Sequence, residues 1–394
     1  MRKQAAFLAI FLLLSLALTF AVGEWYVRSQ GRFDADGTFF FRDKPIRPYA
    51  LPVTHARTIV DRYLKDSSGF LLYDPDLGWN NRPRTCTPDQ RYCANSFGLR
   101  ADREYTAAMR PGSFRVSMFG DSFIAGFDAD MPDSLAVQVE SMLKAKGLDA
   151  EVLNFGVGGF GFDQAYLYYN RDASRFDTNV IVQGLQMENV GRDVTLFRIV
   201  AFPGTGIPFS KPRYILQDGK LELINRPTVA PEDVPGTLAN FHRWPLAKYE
   251  PSYTEKYRHH WYTPSKLLST VVDLYSSKQE TQQDLFAVNG EAMNITVPLL
   301  ERYREEVKGT GKPFVLIYFP LADTINAVLA GKPDPWQGHL DRLQGFTIVD
   351  PTPRLVAHAR EQGVPSLYAG HYSKIGYRLV AESLAEALAP LAPK

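Results

Sequence analysis

The stretch FRVSMFGDSF, residues 114 to 123, runs from strand-forming residues directly into a Gly-Asp-Ser turn. Four further short apolar runs share its character: EVLNF (151–155), VIVQGL (180–185), FVLIYF (314–319) and FTIVD (346–350). Between and after them stand helical patterns, among them DSLAVQVESMLKAKG, closed by Gly147, then VPLLERYREEVKG and YRLVAESLAEAL. That alternation predicts a three-layer α/β/α fold around a parallel, flavodoxin-like sheet. In such sheets ligands meet the carboxyl ends of the strands, so the residues just after each run carry the functional information. After the first run, GDS by itself reads equally as a helix start, with Asp121 or Ser122 as N-cap. The other strand ends add more: NFGVGGFGFDQ follows the second and QMENVGRDV the third. A glycine turn admits close backbone approach and an Asn amide offers N–H donors, so together they suit an oxyanion.

The blocks FGDSFIAGFD, LNFGVGGFGFDQ, MENVGRD and GHYSKIGYRLVAE, in that order, resemble the four motif blocks of the SGNH/GDSL hydrolases. YDPDLGWNNRP and NSFGLRADREY, upstream, resemble the leader of membrane-anchored bacterial members, and the resemblance covers residues 70–200 and 310–390. It implies Ser122 as nucleophile and His371 as the base that takes its proton and returns it to the leaving alcohol. It also implies an oxyanion hole from the Ser122 N–H, the Gly158 N–H and the Asn189 side chain. Glu188-Asn189 stands where many relatives have Asn-Asp; the donor role falls to Asn189 because a carboxylate cannot donate. The family's usual acid, three residues before the His, is replaced by Tyr368. Three readings follow: a Ser-His dyad, an acid from elsewhere, or a site without activity. Asp350, ending the last strand run, is the candidate acid, although DPTP also reads as a turn whose Asp caps the next helix. His339, His358, His259 and His260 are alternative bases without a matching motif.

Residues 5 to 22 are uncharged and apolar, preceded by Arg2 and Lys3 and followed by Trp25 and Tyr26. At 1.5 Å per residue this run covers about 27 Å, near a hydrocarbon core of about 30 Å, and reads as an anchor or a cleaved signal peptide. The aromatic flank favours the single-pass anchor. The two cysteines, Cys86 and Cys93, lie in one polar loop and either pair or stay free. Pairing would place the main domain outside the cytoplasmic membrane, periplasmic or extracellular. The formal net charge of +1 gives no case for nucleic acid, and no P-loop, dinucleotide fingerprint or metal cluster implies a cofactor or metal. Twenty Tyr among 13% aromatic residues suit either a thick core or a sugar-stacking surface.

The expected organisation is an anchor over residues 1–30, a leader over 31–110 with the possible disulfide, and a hydrolase-like domain over 111–394. Residues 200–290 interrupt it as an insertion, with two strands about an Asp-Gly turn, that either caps the site or decorates the sheet edge. The combined expectation is an esterase that removes O-acyl groups, acetyl foremost, from a cell-surface carbohydrate. Two rivals share the scaffold. One is an O-acetyltransferase serving an envelope or secreted polysaccharide, working with a membrane-bound acyltransferase or polysaccharide assembly machinery; the other is a non-catalytic glycan-binding or assembly protein.

Overall fold

Phe114, Val116 and Met118 alternate along the first sheet strand with Arg115, Ser117 and Phe119, so the two sets leave the sheet on opposite faces. In the computed structural model, which describes residues 2–66, 68–279 and 285–393, this strand is β1 (Phe114–Gly120). With β2 (Ala150–Gly156), β3 (Val180–Leu185), β4 (Phe314–Tyr318) and β5 (Thr347–Val349) it forms a five-stranded sheet. Every pairing is parallel and the order is β2-β1-β3-β4-β5. The chain leaves β1 in one direction and returns to β3 on its other side. The carboxyl ends of β1 and β3 therefore flank the crevice where such sheets bind ligands.

Each face is covered because strands buried on both sides must shed water on both sides. On one face, Phe114, Val116 and Met118 join a buried cluster with Leu135, Val139 and Leu143 of helix Leu135–Ala145. Helices Thr352–Gln362 and Lys374–Leu388 complete it through Leu355, Val356, Val380, Leu384 and Leu388. The other face is aromatic. Phe119 stacks on Phe155 at 4.6 Å and meets Tyr168 and Tyr169 of helix Phe162–Arg171 and Tyr303 of helix Glu291–Gly309 edge-on. Tyr166, Tyr168, Tyr303, Tyr318, Tyr372 and Tyr377 are fully buried, so this part of the aromatic content fills the core.

The chain divides into two compact units. The sheet unit holds Tyr63–Leu196, Phe209–Pro231 and Asp284–Lys394; the other holds Met1–Arg62, Phe197–Pro208 and Glu232–Gln283. The leader expected over residues 31–110 thus divides at Tyr63, and the insertion divides too. Its predicted hairpin forms, with Arg213–Gln217 antiparallel to Lys220–Ile224 across Asp218 and Gly219, both at positive φ. That hairpin belongs to the sheet unit.

Within the second unit, helix Arg2–Ser29 exposes its apolar side chains and is long and apolar enough to cross a membrane. A three-stranded antiparallel sheet follows, Gly31–Phe33, Phe39–Phe41 and Lys44–Ile46. Glu24 accepts the N–H groups of Lys266 at 3.0 Å and Leu267 at 2.8 Å, which caps helix Lys266–Gln279.

The sheet unit also buries an ionic cluster. Asp163, Asp193 and Lys211 are each at most 2% exposed; Lys211 donates to Asp163, and Asp193 accepts Thr296 Oγ1 at 2.5 Å. Burial, together with the neighbouring Asp163 charge, pushes the Asp193 carboxyl well above the ordinary range, and burial raises Asp163 too, against the Lys211 ammonium that bonds it. Removing one member of a buried pair strands the other charge. Lys211→Met is therefore expected to cost about 3–5 kcal/mol in urea unfolding of the intact protein.

Candidate active site

β1 ends on Gly120, and Asp121 then caps the one-turn helix Ser122–Ala125, its Oδ1 accepting the Phe123 N–H at 2.9 Å. The cap is Asp121, which frees the Ser122 side chain for other work. Ser122 Oγ lies 2.8 Å from His371 Nε2, and His371 Nδ1 lies 2.7 Å from Asp128 Oδ2. The same Asp128 oxygen accepts the His371 backbone N–H at 2.9 Å. His371 comes from a two-stranded turn, Tyr368–Ala369 paired with His371–Tyr372, and its ring packs edge-on against Phe123 and Phe127. Gly370 makes that turn possible: its φ is +93°, and a Cβ there would stand 2.5 Å from Asp128 Oδ2.

Asp350 does not join this chain of hydrogen bonds. Its Oδ1 accepts the Thr352 N–H at 2.8 Å, the turn reading. It follows β5, which lies three strands from β1, and at about 4.8 Å per strand that is about 14 Å across the sheet. The acid beside the imidazole is Asp128, six residues after Ser122 in FGDSFIAGFD. Neither the His block nor the strand ends point to it in the sequence. The one local signal was an Asp shortly after the nucleophile, matched by a Gly immediately before His371.

Partial burial would raise the Asp128 carboxyl, but hydrogen bonds from the His371 ring and backbone, with the charges of His371 and Arg91, outweigh it and hold it below the ordinary range. A carboxyl depressed on folding stabilises the fold above its unfolded pKa, about 4, and that contribution is lost as pH falls through the folded value. The thermal midpoint of the wild type is thus expected to drop more between pH 5 and pH 3 than that of Asp128→Asn.

The predicted donors occupy the same edge of the sheet. Asn189 ends the short turn Met187–Asn189 after β3 and is 3% exposed, whereas Glu188 is exposed. Asn189 Nδ2 gives one hydrogen to Asp121 Oδ2 at 2.9 Å, and Arg192 Nη1 lies 3.4 Å from the same oxygen. Asp121 thereby fixes which end of the Asn amide faces it, and among the described residues the second amide hydrogen has no acceptor. The Gly158 carbonyl accepts Trp79 Nε1 at 3.0 Å, and a Cβ at Gly158 would stand 2.7 Å from the Phe127 ring. Among the described residues, neither the Ser122 nor the Gly158 N–H has an acceptor. The leader holds this turn from behind, since Asn81 Nδ2 donates to the Gly156 carbonyl at 3.2 Å and Gln164 Nε2 to that of Leu77 at 2.7 Å.

The other histidines stand elsewhere. His339 Nε2 pairs with the Phe286 carbonyl at 2.8 Å, His358 lies on helix Thr352–Gln362, and His259 and His260 belong to the second unit. Cys86 and Cys93 form a disulfide. A cleft of about 830 Å³ runs beside it, lined in part by Arg84, Arg103, Met131 and Pro132, and neither Ser122 nor His371 lines it. Among the described residues no group of three or more His, Cys, Asp or Glu side chains is placed to hold a metal ion.

No family model matches the chain, and no curated protein matches it. Among solved structures it is similar to a lipase/acylhydrolase from Enterococcus faecalis, at 12% identity and TM-score 0.37, over 70% of this chain and 96% of that one. It is similar to an acetyl xylan esterase at 13% identity and TM-score 0.36, over 70% of this chain and 100% of that one. A two-domain esterase active on acetylated mannans matches at 10% identity and TM-score 0.35, over 72% of this chain and 50% of that one.

Proposed function

We propose that this protein is a membrane-tethered serine esterase of SGNH type that removes O-acyl groups, acetyl foremost, from a carbohydrate outside the cytoplasmic membrane. The observation that carries the esterase reading is the continuous chain Ser122 Oγ, His371, Asp128, with links of 2.8 and 2.7 Å. Ser122 Oγ attacks the ester carbonyl as His371 Nε2 takes its proton, and Asp128 holds the imidazole in the tautomer that leaves Nε2 free to accept. The N–H groups of Ser122 and Gly158 and the spare Asn189 hydrogen receive the charge that develops on the carbonyl oxygen. Collapse expels the alcohol, which takes the proton from His371. Water then enters with His371 as base, the acyl–Oγ bond breaks as Oγ takes that proton back from His371, and the carboxylic acid leaves. Asp128 supplies the acid whose absence favoured a non-catalytic scaffold.

The membrane tether is supported by the apolar helix Arg2–Ser29, and the external location by the Cys86–Cys93 bridge. Carbohydrate as the acyl carrier rests on the sequence resemblance. The test uses full-length protein in detergent with an activated acetate ester and an acetylated polysaccharide, with and without an oligosaccharide acceptor. Free acetate from both substrates is expected. Acetyl found only on the oligosaccharide would make the protein a transferase, and turnover of neither substrate would reject the catalytic reading.

A further inference from the structure

We propose that the disulfide-closed loop Cys86–Cys93 positions the acid of the site, with Arg91 and Tyr92 holding Asp128 against His371. The proposal rests on the Ser122–His371–Asp128 reading. Asp128 has φ +64°, a left-handed conformation uncommon for a residue with a side chain, so its backbone must be held from outside. Both of its peptide groups are. The Asp128 N–H donates to Tyr92 Oη at 2.8 Å, and its carbonyl accepts Arg91 Nη2 at 2.9 Å. Arg91 Nε also reaches Asp130 Oδ1 at 3.1 Å, so one side chain spans the acid's segment.

Arg100, 3% exposed, grips the same segment from beneath. It donates to the carbonyls of Ala125, Gly126 and Ala129, and to that of Arg91. Burial pulls its guanidinium down to about 10, so those carbonyls compensate a costly charge. Tyr92 lies between the two parts, its ring 4.6 Å from the Arg100 guanidinium and 4.8 Å from the Phe127 ring.

The covalent bridge sets how these residues are presented. Between Cys86 and Cys93 the loop is tied by Thr87 N–H to the Tyr92 carbonyl at 2.8 Å and Tyr92 N–H to Thr87 Oγ1 at 3.1 Å. Arg91 and Tyr92 are the two residues immediately before Cys93. Opening the bridge removes the restraint on both ends of the segment that carries them. Among the described residues, the charged and titratable groups about Asp128 are His371, Arg91, Tyr92, Arg100, Asp130 and Tyr377. Of these His371, Arg91 and Tyr92 bond Asp128 directly.

The test compares full-length Tyr92→Phe, Arg91→Ala, Arg91→Lys and the double variant Cys86→Ser/Cys93→Ser on an activated acetate ester across pH. Tyr92→Phe keeps the ring and removes only the acceptor of the Asp128 N–H. Each of Tyr92→Phe, Arg91→Ala and the double variant is expected to lose about 10- to 100-fold in kcat with KM within twofold. The acidic limb of kcat/KM should move to lower pH, as in Asp128→Asn, because the imidazolium loses its partner, and Arg91→Lys should recover part of both effects. Wild-type kcat and pH profile in Tyr92→Phe and the double variant, beside an Asp128→Asn slowed by about 10⁴-fold, would overturn the proposal and leave the triad standing. A lower kcat with an unmoved pH profile would also overturn it, as general loosening. Should the double variant not fold, Tyr92→Phe decides alone. Full activity in Asp128→Asn would instead remove the site reading on which the proposal rests.

Discussion

Ser122→Ala in the full-length protein is expected to lower kcat for an activated acetate ester by about 10⁵–10⁶-fold, and His371→Ala by a similar factor. Oγ is the only atom of Ser122 placed to form the acyl bond, and His371 Nε2 at 2.8 Å is the proton acceptor that makes it nucleophilic. The two changes should not add. Once the nucleophile is gone its base has nothing to activate, so the double variant is expected to be no worse than either single one. A residual rate of about 10³-fold over water, from the oxyanion donors alone, should survive in all three. Steady-state kinetics on the three variants checks each part.

Asp128→Asn is expected to cost about 10⁴-fold in kcat, while Asp350→Asn leaves kcat within about twofold. The asymmetry follows from what each carboxylate bonds. The Asp128 carboxylate accepts from both His371 Nδ1 and the His371 backbone N–H through one oxygen. An amide oxygen in that place can still accept from both, but it carries no charge to stabilise the imidazolium that forms as Ser122 attacks. Among the described residues Asp350 bonds the Thr352 N–H alone. Its loss costs one hydrogen bond of the turn before helix Thr352–Gln362 and nothing at the imidazole. Circular dichroism and thermal midpoints of both variants separate this outcome from unfolding.

What the sequence revealed and what it hid divide along a physical line. The five strands were legible because each is a short apolar run, a pattern that local composition carries; four are almost wholly buried, and the edge strand β5 buries Val349 alone. Ser122, Gly158 and Asn189 were named from the resemblance of their motif blocks, and each follows a strand of the parallel sheet, whose carboxyl ends align. Asp128 was not. It reaches His371, 243 residues away, through a left-handed backbone kink, a glycine on the far side and a guanidinium and phenol from a third segment. None of these has a periodicity. The division of the chain was hidden for a related reason: residues 63–110 join the sheet unit through single side chains such as Trp79, Asn81 and Arg100, rather than through a patterned face.

The most direct test of the central claim is the site of covalent labelling. Full-length protein is treated with a fluorophosphonate at neutral pH, digested, and the adduct mapped by mass spectrometry, beside His371→Ala and Asp128→Asn. The expected result is a stoichiometric adduct on Ser122, absent in His371→Ala and slowed by orders of magnitude in Asp128→Asn. Folded wild-type protein that takes no label at Ser122, or labels equally fast without His371, would contradict the account.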